Sequence, residues 1–83
     1  YLVLIDGEEL FLPRKEFELL HFLASKPGKV FSREKIMEKV WGNKVVVGDR
    51  TIDVHIRKLR EKLGNQFFKT FKGVGYTFIQ PKN

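Results

Sequence analysis

The stretch that most restricts how this chain can fold is Arg50-Thr51-Ile52-Asp53-Val54-His55-Ile56-Arg57-Lys58-Leu59-Arg60-Glu61-Lys62-Leu63. Ile52, Ile56, Leu59 and Leu63 recur at i, i+4, i+7 and i+11, the stripe of a helix packed on a core along one side. Asp49 is placed to cap its start and Gly64 its end. At about 100° per residue, the opposite face carries Arg50, Val54, Arg57, Lys58 and Glu61, flanked by Thr51 and Lys62. That face is mostly basic and rich in donors, with one aliphatic side chain in its middle. It suits the major groove of B-DNA, which admits an α-helix and presents acceptors to Arg and Lys. It equally suits plain solvation, and the helix alone leaves both readings open.

The distribution of charge bears on that choice. The chain carries a net +6, yet residues 1–49 hold eight Lys/Arg against eight Asp/Glu, a balance of zero. Residues 50–83 hold eight Lys/Arg against only Asp53 and Glu61, so the whole excess lies in the long helix and the segment after it. Such asymmetry is expected when one end of a domain meets a polyanion. A solubilising basic tail or a membrane surface accounts for the charge, but neither explains its placement on an amphipathic helix and a hairpin.

With 83 residues and eleven aromatics, the chain has the material for one small domain with a single core. It has no Cys, which excludes disulfide and thiolate-metal frameworks. No apolar run approaches the roughly 18 residues needed to span a membrane, and no signal-peptide pattern opens the chain. The expectation is a soluble, cytoplasmic protein without metal or cofactor.

Taken in order, residues 1–12 read as a hairpin, with Tyr1 to Ile5 leading out, Asp6-Gly7 turning and Glu8 to Leu12 returning. Pro13 opens a helix over about Arg14 to Ser25, with Phe17, Leu20, Leu23 and Ala24 as its stripe, widened by Leu19 and Phe22. His21 on this helix reads as structural, because no second metal-type residue is spaced to join it. Pro27-Gly28 stops the helix, and Val30-Phe31 is a short extended link. Ser32 caps a second helix over Arg33 to Trp41, with Phe31 and Ile36 placed for a hydrophobic staple and Gly42 as its stop. Residues 43–49 form a turn with three consecutive valines, either pinned to the core or shown to a partner. After the long helix, Phe67 to Phe71 and Tyr76 to Ile79 read as strands joined around Lys72-Gly73-Val74-Gly75, whose glycines permit positive φ. Phe78 stands where a dinucleotide fingerprint needs its third glycine, so the Gly-x-Gly is a turn. The fold expected is α+β: a hairpin, three helices and a terminal hairpin. The second and third helices (32–63) resemble a helix-turn-helix with an over-long, seven-residue link, and residues 67–79 form a wing beside them.

Four blocks in this order are similar to a known family: Phe31 to Ile36, Val40-Trp41-Gly42, Asp49 to Arg60, and Gly73 to Phe78. Together they resemble the OmpR/PhoB-type winged-helix effector domain of bacterial two-component response regulators. The resemblance runs from about Leu10 to Ile79 and implies double-stranded DNA binding in transcription regulation. It implies a third helix in the major groove and a wing tip at the adjacent minor groove. Carried over, Val54, Arg57 and Lys58 are base- or phosphate-facing, and Lys72 takes the minor-groove position. Arg33, Arg50, Thr51, His55, Arg60, Lys62 and Thr70 contact or support the phosphate backbone. Lys44, Val45, Val46 and Val47 fall in the loop that meets RNA polymerase. A second protomer is implied head-to-tail on direct-repeat DNA, with the isolated domain monomeric. The chain departs from the family in having two strands, not four, before the first helix, and in lacking the receiver domain, which implies a fragment of a longer protein. Lys58, Lys72 and Thr77 also stand where Arg is common, and Lys acts as a point charge where Arg can grip two acceptors.

Two other classes compete. Asp53 and His55, two apart on a helix, form neither a triad nor a metal site, which disfavours an enzyme. A protein-interaction module using the 43–49 loop, with non-specific polyanion binding, is the remaining alternative.

Overall fold

A computed structural model describes residues 2–5, 7–42 and 50–80. Strands β1 (Leu2–Ile5) and β2 (Glu8–Phe11) form an antiparallel hairpin, followed by helix α1 (Arg14–Ala24). Then come β3 (Val30–Ser32), a helical segment that starts as α2 (Arg33–Ile36) and ends in a π-helical turn (Met37–Trp41), and α3 (Arg50–Leu63). A 3-10 turn at Asn65–Phe67 leads into the wing, β4 (Phe68–Phe71) and β5 (Gly75–Phe78). The result is the α+β winged helix expected from the sequence. The 43–49 link lies outside the described residues, and so do the expected cap Asp49 and the turn residue Asp6.

All four stripe residues of α3 are buried, with Ile52, Ile56 and Leu59 at 1% exposure or less. They meet Leu19, Leu20 and Leu23 of α1, Ile36, Val40 and Trp41 from the second helical segment, and Phe31, Phe68 and Tyr76 of the sheet. The buried face of α1 is rotated from the one expected. It is Glu16, Leu19, Leu20 and Leu23, while Phe17 and Phe22 only lie against the core and Ala24 is half-buried. A carboxylate thus occupies a core position. Its partner comes from α3, where Lys62 Nζ donates to Glu16 Oε1 at 2.7 Å. Pattern reading treats Glu16 as polar and therefore outward, and cannot see a cation arriving from 46 residues away.

Two expectations about backbone are corrected. Residues 30–32 are not a mere link but the outer strand of a three-stranded antiparallel sheet, ordered β3-β5-β4, with Phe31 opposite Tyr76 and Ser32 opposite Gly75. Three residues are too few to show a period, so pairing decides their state, helped by Gly28 N–H donating to the Phe78 carbonyl at 2.8 Å. The second helix is not α throughout. Ser32 Oγ accepts from Lys35 N–H at 3.1 Å, as a cap should, but the last turn closes from Gly42 N–H to Met37 O, an i→i−5 bond of 3.0 Å. The Val40 carbonyl in that turn accepts from Lys15 Nζ at 2.8 Å, so α1 and the π turn are tied by a side chain as well as by packing.

The wing glycines also divide their roles. Gly73 has φ +79° and open space around it, as a turn glycine should. Gly75 has no positive φ. It is needed because a Cβ there would sit 1.8 Å from the Phe31 carbonyl oxygen of the paired strand. Gly75→Ala should therefore force β3 and β5 apart and cost about 3 kcal/mol, whereas Gly73→Ala should cost about 1 kcal/mol for its φ alone. Urea unfolding of both variants checks this, and equal losses would contradict it.

Candidate nucleic-acid interface

Burial of the stripe fixes which side of α3 faces water. Arg50, Val54, Arg57, Lys58 and Glu61 are all exposed, and Val54 keeps 46% of its surface. Arg57 and Glu61 form an i,i+4 pair at 3.3 Å with side chains 83% and 63% exposed. A pair that wet is weak and readily exchanged for another anion. The face is therefore a set of exposed cations around one aliphatic group, on a helix whose opposite side is buried.

The residues at its margins are held by the protein itself. His55 Nδ1 lies 2.8 Å from the Thr51 carbonyl, which can only accept, so that nitrogen carries the proton. The ring stands edge-on to Trp41 with centroids 5.0 Å apart. Arg60 donates to Thr70 Oγ1 at 2.9 Å and to the Phe68 carbonyl at 3.2 Å, joining α3 to β4. Two positions implied by the family resemblance are thus brought together. Lys62 is engaged by Glu16 on α1. Lys72 is exposed at the wing tip beside Val74, an exposed apolar residue that sequence reading did not single out. Thr77 is buried in β5, with its hydroxyl donating to the Lys29 carbonyl at 2.5 Å. Lys44, Val45, Val46 and Val47 lie outside the described residues.

One cluster was not foreseen. The Asp53 carboxylate oxygen Oδ1 accepts from Arg33 at 3.0 Å and from the Tyr76 hydroxyl. The Arg33 guanidinium also lies 5.6 Å from the centre of the Tyr76 ring. Three elements, α2, α3 and β5, therefore meet on one carboxylate. Burial, and then the hydrogen bond to Asp53, push the Tyr76 hydroxyl above its ordinary pKa. The Tyr76 oxygen, and then Asp53, raise that of Arg33. An acidic residue at the margin of the basic face was a possible signal, but its partners stand 20 and 23 residues away and no local pattern names them.

Among the described residues, no group of three or more His, Asp or Glu side chains could hold a metal ion, and no helix is long and apolar enough to cross a membrane. A helix-turn-helix with an exposed basic third helix and a β-wing fixed beside it is the architecture of a DNA-reading winged helix.

Comparison with known proteins gives the same class. The family described as "Transcriptional regulatory protein, C terminal" matches residues 7–78. The phosphate regulon transcriptional regulatory protein PhoB of Escherichia coli is 44% identical in an 80-residue alignment that covers 92% of this chain and 35% of PhoB. The crystal structure of the DNA-binding domain of Bacillus subtilis CssR superposes with a TM-score of 0.86 at 35% identity, covering 94% of this chain and 90% of that one. The Klebsiella pneumoniae RstA DNA-binding domain, solved in complex with the RstA box, gives 0.82 at 30% identity over 94% and 82%. The chain belongs to the OmpR/PhoB-type winged-helix effector domains of bacterial response regulators, a class of transcription-factor domains and not of enzymes. It spans about a third of the length of PhoB.

A raised Tyr76 pKa has a definite consequence for stability. The contribution is complete below the unfolded value of about 10 and is lost as pH climbs through the higher folded value. Alkaline titration followed at 295 nm in a Tyr1→Phe background should show phenolate forming later in the folded than in the urea-unfolded chain. Coincident curves would contradict the cluster as described.

Proposed function

We propose that this chain binds double-stranded DNA sequence-specifically, as the output domain of a two-component transcriptional regulator in the cytoplasm. The observation that carries the proposal is the outer face of α3, where Arg50, Arg57 and Lys58 surround the exposed Val54. In this reading α3 lies in the major groove, where Arg57 and Lys58 meet base-edge or phosphate acceptors and Val54 meets a thymine methyl, the one apolar feature of a base edge. Arg33, Arg50, Thr51, His55, Arg60, Lys62 and Thr70 contact phosphates or hold those that do. Lys72 enters the adjacent minor groove, whose potential is most negative where A·T tracts narrow it. That the RstA DNA-binding domain was solved in complex with the RstA box supports DNA binding here.

One helix of this length reads only a few base pairs, so useful specificity calls for a second protomer about one helical turn away. The family resemblance makes that arrangement head-to-tail on direct repeats, with the domain monomeric when free. It also gives Lys44, Val45, Val46 and Val47 to an RNA polymerase contact.

The test is a salt titration. Binding to a duplex selected from a random pool should weaken with a slope of log K against log salt of about −0.9 per phosphate neutralised, with several phosphates per protomer. Arg57→Ala should weaken binding and, if Arg57 meets a phosphate, reduce that slope by about 1. A nearly salt-independent affinity would sink the assignment.

A further inference from the structure

A winged helix gains specificity only if its helix and its wing engage together, which requires something to hold the wing at a fixed angle. Two exposed elements joined by flexible contacts would bind as two weak sites, each paying its own ordering cost. Among the described residues the wing tip is open, with Val74 56% exposed and nothing within 4 Å of where a Cβ on Gly73 would stand. An open cleft lined by Ser32, Arg33, Glu34, Gly73 and Val74 separates it from the start of α2. Whatever fixes the wing must act at its root.

Besides the β3–β5 ladder and its core packing, the root carries three ties by side-chain hydrogen bonds among the described residues. Thr77 donates to the Lys29 carbonyl, which anchors β5 to the segment before β3. Arg60 anchors β4 to the last turns of α3 through Thr70 and Phe68. Among the described side-chain hydrogen bonds, the Asp53 cluster is the one that joins β5 to the first turns of α3, immediately beside Val54 and one turn from Arg57. Its hydroxyl donor, Tyr76, is buried and lies opposite Phe31 in the sheet, so the donor cannot move without moving the strand. The third member, Arg33, bonds the same oxygen from the start of α2, while its buried Nε has no hydrogen-bond partner among the described residues. Arg33 is thus held chiefly by the carboxylate and the Tyr76 ring.

We propose that Asp53 is a positioning residue for DNA reading: by holding Tyr76 and Arg33 on one carboxylate oxygen, it locks the wing to α3 so that both elements dock as one body. The inference rests on the DNA-binding reading above and adds a role for a residue that touches no DNA. It gives a use to a carboxylate at the margin of a face where cations outnumber acids. On electrostatics alone Asp53 opposes every phosphate the domain approaches. Its presence is useful only if geometry outweighs that repulsion.

The two effects have opposite signs, which makes the test decisive. Asp53→Asn raises the net charge by one, so a purely electrostatic role predicts tighter binding to every duplex, most of all at low salt. The clamp predicts at least a fivefold loss of affinity for the selected duplex, with binding to random-sequence duplex unchanged or tighter. It also predicts that Lys72→Ala, measured as a fold-loss on the selected duplex, shrinks by half or more in the Asp53→Asn background because the wing no longer arrives in register. Tyr76→Phe removes a single oxygen, keeps the charge, and should reproduce the reduced Lys72 effect. This covers the case in which Asp53→Asn fails to fold.

A direct phosphate contact by the Tyr76 hydroxyl would instead make its loss independent of Lys72, and that additivity would overturn the proposal. Tighter binding by Asp53→Asn to the selected duplex, with the Lys72 effect intact, would overturn the clamp and leave the DNA-binding reading standing. Failure of the native 83-residue chain to bind any duplex would overturn both.

Discussion

Everything in this domain depends on α3 having two incompatible faces. Burying Ile52, Ile56, Leu59 and Leu63 stabilises by about 1.5–3 kcal/mol per side chain before entropy is counted. No exposed ion pair on the other side competes with that. Burial therefore sets the rotation of the helix about its axis, and the basic face points outward as a consequence. Function here uses what the core leaves over.

Orientation alone does not make a reading surface, because a helix can also slide or tilt. Polar ties remove those freedoms. Glu16 is a carboxylate in a core position, and breaking a buried pair leaves an uncompensated charge, so the Lys62 contact holds α1 and α3 in one register. The π turn presents Val40 to Lys15 and seats Trp41 against His55, which steadies the first turns of α3 from the other side. Arg60 and Asp53 then connect α3 to the two wing strands near its opposite ends. The helix and the wing are thus tied at two places, while Arg50, Arg57 and Lys58 on the outer face stay exposed.

What was legible in the sequence follows from how local each signal is. The stripe of α3, the Ser32 cap and the Gly73 turn of the wing are written within a few residues, and each stands where its pattern placed it. The outer face of α3 could be read in the same way, because it is the complement of the stripe. Features that need a distant partner were not legible. Residues 30–32 become a strand only because β5 lies beside them, and Gly75 matters for its neighbour's carbonyl and not for its own φ. Glu16 at a core position and Asp53 at a three-element junction both look like ordinary surface acids until their partners are in place. Resemblance to the family supplied the order of the blocks, but it gave Arg33 a role without naming the carboxylate that holds it.

The central claim is that the outer face of α3 reads bases, and Val54 tests it most directly because it carries no charge. If its exposed methyl groups meet a thymine methyl, replacing that thymine by uracil deletes one partner and nothing else. Binding of the selected duplex should then fall by on the order of 0.8 kcal/mol, roughly fourfold, with the native chain, and by almost nothing with Val54→Ala. If no thymine in the selected site shows that paired behaviour, Val54 does not read a base and the account of this face fails at its centre.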